Sequence, residues 1–207
     1  MDLMSERYSI KINEGDLQRV QNMLDDFVGI PDRVTVRALN KTLTGVRTDA
    51  SAAIREIITA KKAAVDETFK LEKASTGNLR AAISSIGKPL ALIDYSSRQT
   101  AKGVSVQVRK DRSRKVVSAA FIAKMNSSHQ GVFWREYHGS SKKPKNADLT
   151  YGQLPRSYRL KIKERFGPRV PDIMGNEPVM KTILAQAEKR LHDNLEHETD
   201  YEMSKHK

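Results

Sequence analysis

Residues 103–124 read GVSVQVRKDRSRKVVSAAFIAK. Val104, Val106 and Val108 alternate with Ser105, Gln107 and Arg109, the period of a strand with one buried face. The run Lys110-Asp111-Arg112-Ser113-Arg114 is polar and turn-like. Val116 to Ile122, rich in β-branched and aromatic side chains, predicts the returning strand. Together they predict a β-hairpin whose tip carries five cations, Arg109, Lys110, Arg112, Arg114 and Lys115. Gly131 to Tyr137 predicts a further strand. On the N-terminal side, Leu79, Ala81 and Ile83 alternate with Arg80, Ala82 and Ser84, as a half-buried strand would. Gly87-Lys88-Pro89 ends that strand, and Leu90 to Ile93 is a short apolar segment.

Before Gly77 the period is helical. Val36, Leu39, Leu43, Val46, Ala50, Ala53 and Ile57 step by three and four residues in turn, with Ile54 and Ile58 widening the stripe near its end. Such a stripe is the core face of one long helix, or of a helix that also packs against another subunit. Pro31 and Asp32 suit its first turn. After Ala60-Lys61-Lys62 the stripe falters, and Val65, Phe69 and Leu71 predict a shorter helical segment ending near Ser75-Thr76-Gly77. Asp16 to Phe27 predicts a short amphipathic helix, with Leu17, Val20, Leu24 and Phe27 or Val28 on one face and Gly29 as its breaker.

Residues 138–175 contain Gly139, Pro144, Gly152, Pro155, Gly167, Pro168, Pro171 and Gly175, which excludes a long regular element and predicts an irregular arm. An arm of that length inside a compact domain is usually functional or held by a partner. Asn176 suits an N-cap and Glu177 and Pro178 a first helical turn, after which Met180, Ile183 or Leu184, Ala187, Leu191 and Leu195 share a face. The last ten residues are polar and predict a frayed end. The organisation expected is a helical extension over 1–30, one domain over 31–195 and a polar tail over 196–207. The class is α+β: long helices first, a mostly antiparallel sheet with a basic hairpin in the middle, a Pro/Gly-rich arm and a closing helix.

The whole chain of 207 residues carries 37 Lys and Arg against 25 Asp and Glu, for a net charge of +12. Residues 97–170 alone hold 18 basic and 4 acidic side chains, net +14, so one third of the chain carries more than the total. That concentration predicts a positive surface drawn to phosphates or to an acidic protein. Phe133, Trp134, Tyr137, Tyr151, Tyr158 and Phe166 lie among these charges without the spacing of a base-stacking platform, which favours backbone contact without sequence choice. Hydrophobic residues make up 38%, a lean core that predicts support from partners.

The absence of cysteine excludes a disulfide framework, a thiolate metal site and a cysteine nucleophile. No stretch approaches the roughly 18 apolar residues of a membrane span, and MDLMSERYSI lacks the layout of a signal peptide, so the chain is expected to be made as a soluble intracellular protein without a membrane partner. None of the 11 glycines forms a phosphate-binding loop. None of His129, His138, His192, His197 and His206 sits in a metal-ligand motif, and His192 and His197 point about 140° apart on a helix. The basic block offers only Asp111, Glu136, Asp148 and Glu164 to a nuclease, which needs two or three converging carboxylates. No catalytic residue, metal or cofactor is expected.

Several segments resemble the prophage minor tail protein Z family. They are Ala38-Leu39-Asn40-Lys41 through Ala50 to Ile54, Lys70-Leu71-Glu72-Lys73-Ala74-Ser75, Gly87-Lys88-Pro89-Leu90-Ala91-Leu92-Ile93 and Gly131-Val132-Phe133-Trp134-Arg135. The sharpest is Arg159-Leu160-Lys161-Ile162-Lys163 with Phe166-Gly167-Pro168-Arg169-Val170-Pro171, before one terminal helix. The resemblance spans roughly residues 31–195, with the order of elements kept. It implies a structural virion protein of a long-tailed phage or prophage, assembled in the host cytoplasm. Such a protein completes the head-proximal end of the tail and helps join it to the capsid connector. It also implies a homo-oligomeric ring, sixfold in that setting, between tail-terminator and head-connector proteins, with DNA phosphates in its channel. On that reading the hairpin tip faces the channel or an acidic neighbouring ring. Lys142, Lys143, Lys145, Arg159, Lys161, Lys163, Arg165, Phe166, Pro168, Arg169 and Pro171 form an arm for contacts between subunits or rings. Two other classes remain open on the residues alone: a non-sequence-specific DNA-binding protein acting outside the virion, and a magnesium-dependent nuclease.

Overall fold

The apolar stripe becomes one helix, α1 (Ile30–Ile57), in a computed structural model that describes residues 7–11, 30–85, 87–125, 128–136 and 161–205. Its fully buried residues are Val34, Ala38, Leu39, Leu43, Val46, Ala50 and Ile54, whereas Val36, Ala53 and Ile57, expected on the stripe, are only half-buried. The difference follows from what α1 covers. It packs both against the long C-terminal helix and against a sheet, so its buried face is wider than a two-per-heptad seam and takes in Thr35, Thr42 and Ser51 as well.

The chain folds into two compact units, where a single domain over 31–195 was expected, and it passes between them after Ile57, Lys61, Lys88 and Gly167. The first unit holds α1, α2 (Lys62–Glu67), β1 (Arg7–Lys11), β2 (Phe69–Glu72), β3 (Arg80–Ser85), α3 (Val170–Met174) and α4 (Glu177–Ser204). Its sheet has the order β1-β3-β2, antiparallel throughout. Thr68 ends α2, donating from both its backbone N–H and its hydroxyl to the Val65 carbonyl. Phe69 and Leu71, expected to be helical, therefore lie in a strand. β3 is buried from Ala81 to Ser85 rather than on one face, because it is the middle strand and α1 packs against it. In place of helix, residues 7–11 of the predicted extension form β1, and the helix expected over Asp16–Phe27 lies outside the described residues.

α1 and α4 run antiparallel. Arg37 pairs with Glu202, Lys41 with Glu198 and Asp49 with Arg190, so steps up one helix are matched by steps down the other. Gly45 lies under the Arg190 side chain. A Cβ there would come within 2.9 Å of Arg190 Cδ, and its absence lets the guanidinium cross to the Asp49 carboxylate, NH2 to Oδ1 at 2.9 Å. Ile183, Ala187, Leu191, Leu195 and Thr199 of α4 are buried at four-residue spacing. Asn176 stands at the N-cap position as expected, but its side chain makes no capping bond. The predicted frayed end is helix to Ser204, because Glu202 continues the buried face.

Glu202 accepts from Arg37 at 2.9 Å and from Lys205 at 3.1 Å. The Lys205 hydrogen bond, joined by that of Arg37, outweighs burial and holds this carboxyl below its ordinary value. A depressed folded-state value stabilises fully above the unfolded carboxylate pKa of about 4.3 and stops doing so as pH falls through the folded one. Glu202→Gln is therefore expected to cost about 1–2 kcal/mol at neutral pH. The gap from the parent should narrow below about pH 4, as read by urea unfolding across a pH series.

Among its described residues the second unit is all strand and turn. β4 (Pro89–Ala91) leads through a 3₁₀ turn over Leu92–Asp94 into the sheet β5-β6-β7 (Ser96–Thr100, Gly103–Gln107, Lys115–Ser118). A second sheet has the order β10-β9-β8, from Lys161–Glu164, Gln130–Glu136 and Phe121–Lys124. The fold is thus α+β, with antiparallel pairing in each three-stranded sheet, although the strands divide among small sheets instead of forming one central sheet. The expected returning strand Val116 to Ile122 splits at Ala119, whose φ of 57° turns the chain from β7 into β8. Residues 161–171, expected in an irregular arm, instead form β10, β11 (Phe166–Arg169) and the start of α3; four-residue strands tolerate a Gly and Pro density that long ones do not. No helix among the described residues is long and apolar enough to cross a membrane.

Candidate functional site

The predicted hairpin is present as β6 and β7, with Val104 opposite Val117, Ser105 opposite Val116 and Val106 opposite Lys115. A segment of the same unit pins its upper end. Thr59 N–H donates to the Val108 carbonyl at 3.0 Å, and its hydroxyl donates to that of Gln107. Residues 109–114 therefore project as a turn from a fixed base.

The five tip cations are not equivalent. Arg109 is tied to Asp111 by two bonds, Nε to Oδ1 at 2.9 Å and NH2 to Oδ2 at 3.1 Å. This fork raises the Arg109 pKa and lowers that of Asp111, so the two charges cancel within the tip. Arg114 folds back over the sheet, donating from Nε to Ser105 Oγ, from NH1 to Ser96 Oγ and from NH2 to both backbone carbonyls of these serines. Lys110, Arg112 and Lys115 are exposed and make no ion pair or side-chain hydrogen bond among the described residues. Two exposed cations that the sequence did not single out join them in this sheet, Arg98 on β5 and Lys102 in the β5–β6 turn. The available signal was the polar alternation of Ser96, Arg98 and Thr100, which lacks the valines that mark β6.

The predicted arm residues separate further. Lys142, Lys143, Lys145 and Arg159 lie outside the described residues, and so does the Lys161 side chain. Lys163 is exposed on β10, opposite Trp134. Arg165 stacks on the Trp134 ring, 3.9 Å from its centroid, while its backbone bonds to Val132 and Leu92. Phe166 is 52% exposed, Pro168 is half-buried and Pro171 is buried. Arg169 forks onto Asp172 at 2.9 and 3.0 Å. These residues brace sheet and helix, and Phe166 is the large apolar side chain among them left exposed.

Comparisons with protein-family models, curated proteins and solved structures give no match.

The chemistry this surface can do follows from its side chains. Among the described residues, no three His, Asp or Glu side chains converge as metal ligands. His129 and Glu164 meet at 2.8 Å, with His129 edge-on to Phe133, and this pair belongs to the β10-β9-β8 sheet. What the hairpin side of the unit offers is fixed positive charge on a rigid sheet, suited to a polyanion.

Proposed function

We propose that this chain is a structural virion protein of a long-tailed phage or prophage, of the minor tail protein Z type. It completes the head-proximal end of the tail and helps join it to the capsid connector as a ring of copies around the DNA path. The observation that carries this reading is the ordered set of segments that resemble that family. Each described segment falls in or beside an element of the fold: Ala38 to Ile54 in α1, Leu90 and Ala91 in β4, Gly131 to Arg135 in β9, and Phe166 to Pro171 across β11 and α3.

Ring formation needs heterologous contacts, one face of each copy against a different face of the next. Phe166, Ile162 and Leu184 are large apolar side chains left exposed, and they supply material for such contacts. The unpaired Lys110, Arg112 and Lys115 supply the charge expected of a channel or of a surface facing an acidic ring. The experiment is deletion of the gene from the phage or prophage that carries it. Filled heads and full-length tails should accumulate unjoined, and the parental gene in trans should restore joined particles. Normal particles from the deletion would overturn the reading.

A further inference from the structure

Register divides the β5-β6-β7 sheet into two unlike faces. Residues opposite one another in an antiparallel pair share a face, as do alternate residues along a strand. Val104 and Val106 are buried on one side. Ser96, Arg98, Thr100, Gly103, Ser105, Gln107, Val116 and Ser118 fall on the other, where Arg98, Thr100, Val116 and Ser118 are exposed. The short side chains of Ser96, Ser105 and Ser118 and the bare Gly103 leave room for an arginine to lie across this face.

Arg114 occupies that room. Its Nε donates to Ser105 Oγ at 3.2 Å, its NH1 to Ser96 Oγ at 2.9 Å, and its NH2 to the carbonyls of Ser96 at 2.7 Å and Ser105 at 2.9 Å. All four acceptors are neutral, so the guanidinium is held in place while its charge is left uncompensated. Arg98 stands directly opposite Ser105, exposed, with no ion pair among the described residues. Two guanidiniums thus flank one serine, and Arg112 and Lys102 add free charge towards the two ends of the sheet. The nearby carboxylates are already engaged, Asp111 by Arg109 and Asp94 by Lys61. Among the described residues the field above this face is therefore positive.

We infer that this face docks the sugar–phosphate backbone of duplex DNA, with Arg98 and Arg114 as its centre and Arg112 at its margin. The inference rests on the tail-end reading above, which puts duplex DNA within reach. The face itself argues for DNA over an acidic protein. Protein interfaces are anchored by buried aromatic and aliphatic groups, and the one large apolar side chain exposed here among the described residues is Val116. Arg98 and Arg114 lie on the sheet face rather than on an element aimed into a groove, so contact is to phosphates and independent of sequence.

Anisotropy of a labelled duplex of about 30 base pairs, titrated with the full chain between about 50 and 200 mM salt, tests this. Arg98→Gln with Arg112→Gln removes two cations that hold no side-chain bond among the described residues. The double variant should weaken binding roughly tenfold or more and flatten the log–log salt slope by about 2, equally for unrelated duplexes. Arg33→Gln with Lys181→Gln removes the same charge from exposed helix positions of the other unit and should leave the slope near that of the parent. Equal losses in the two double variants, or no duplex binding by the parent at the lowest salt, would overturn the docking face. A parent that fails to bind duplex yet is needed to join heads to tails overturns this inference alone. A parent that binds through this face but is dispensable for joining overturns the tail-end reading alone.

Discussion

Gly103→Ala is expected to disrupt the β5-β6-β7 sheet and to be among the most damaging single changes in the second unit. Gly103 has φ of 143°, a region closed to side chains, and a Cβ built there would stand 2.1 Å from the Val117 carbonyl oxygen. That oxygen is backbone on the facing strand, so no rotamer change relieves the clash. The register that pairs Gly103 with Thr100 and Ser118 must open. Strain plus lost pairing puts the cost at about 3–5 kcal/mol, near the top of what point changes do. In a chain of this size that is roughly 10 °C in melting temperature. Protection of the Val104 and Val106 amides from hydrogen exchange should fall by a similar free energy. Gly77→Ala, where no atom lies within 4 Å of the new Cβ, should change stability by less than about 0.5 kcal/mol. A Gly103→Ala protein that melts with the parent would contradict the described register.

Leu43→Ala is expected to cost about 2–5 kcal/mol, measured by urea or thermal unfolding followed through the helical signal. Leu43 is fully buried in the middle of α1, and α1 carries the contacts to both α4 and the sheet of its unit. Close-packed interiors relax little around a missing isobutyl group, so the cavity term adds to the lost transfer energy. The total stability of such a unit is about 5–15 kcal/mol, and one substitution removes a large share of it. Leu184→Ala, on the exposed side of α4, should stay within about 0.5 kcal/mol. If both leucines cost the same, α1 is not the core element described.

How legible these features were in the sequence depended on how local their causes are. The β6–β7 pairing was readable because valine alternation and a polar turn lie within sixteen consecutive residues, Gly103 to Ser118. The break at Ala119 was not, because an alanine at positive φ carries no compositional mark. β3 read as half-buried from its alternation, and its place between β1 and β2 with α1 packed against it, set by distant parts of the chain, is why Ala82 and Ser84 are buried too. The buried end of α4 read as a polar tail because the Arg37 that satisfies Glu202 is 165 residues away.

The same holds for the candidate site. Five clustered cations were plain in the sequence, but their division into tied and free ones was not. Arg109 is neutralised by a neighbour two positions along, which a sequence can suggest. Arg114 is held by serines 9 and 18 residues earlier, through carbonyls and hydroxyls that any strand could offer. Arg98 enters the proposed face only because the register sets it opposite Ser105.

Whether this chain builds a phage tail end, as proposed, is read from the protein inventory of purified particles. Mass spectrometry of particles released by a host carrying the gene should detect this polypeptide at a few copies per virion, consistent with one ring. It should stay with the tails when heads and tails are separated. Particles that join normally and contain none of it, while the protein remains free in the lysate, would exclude a place in the tail end.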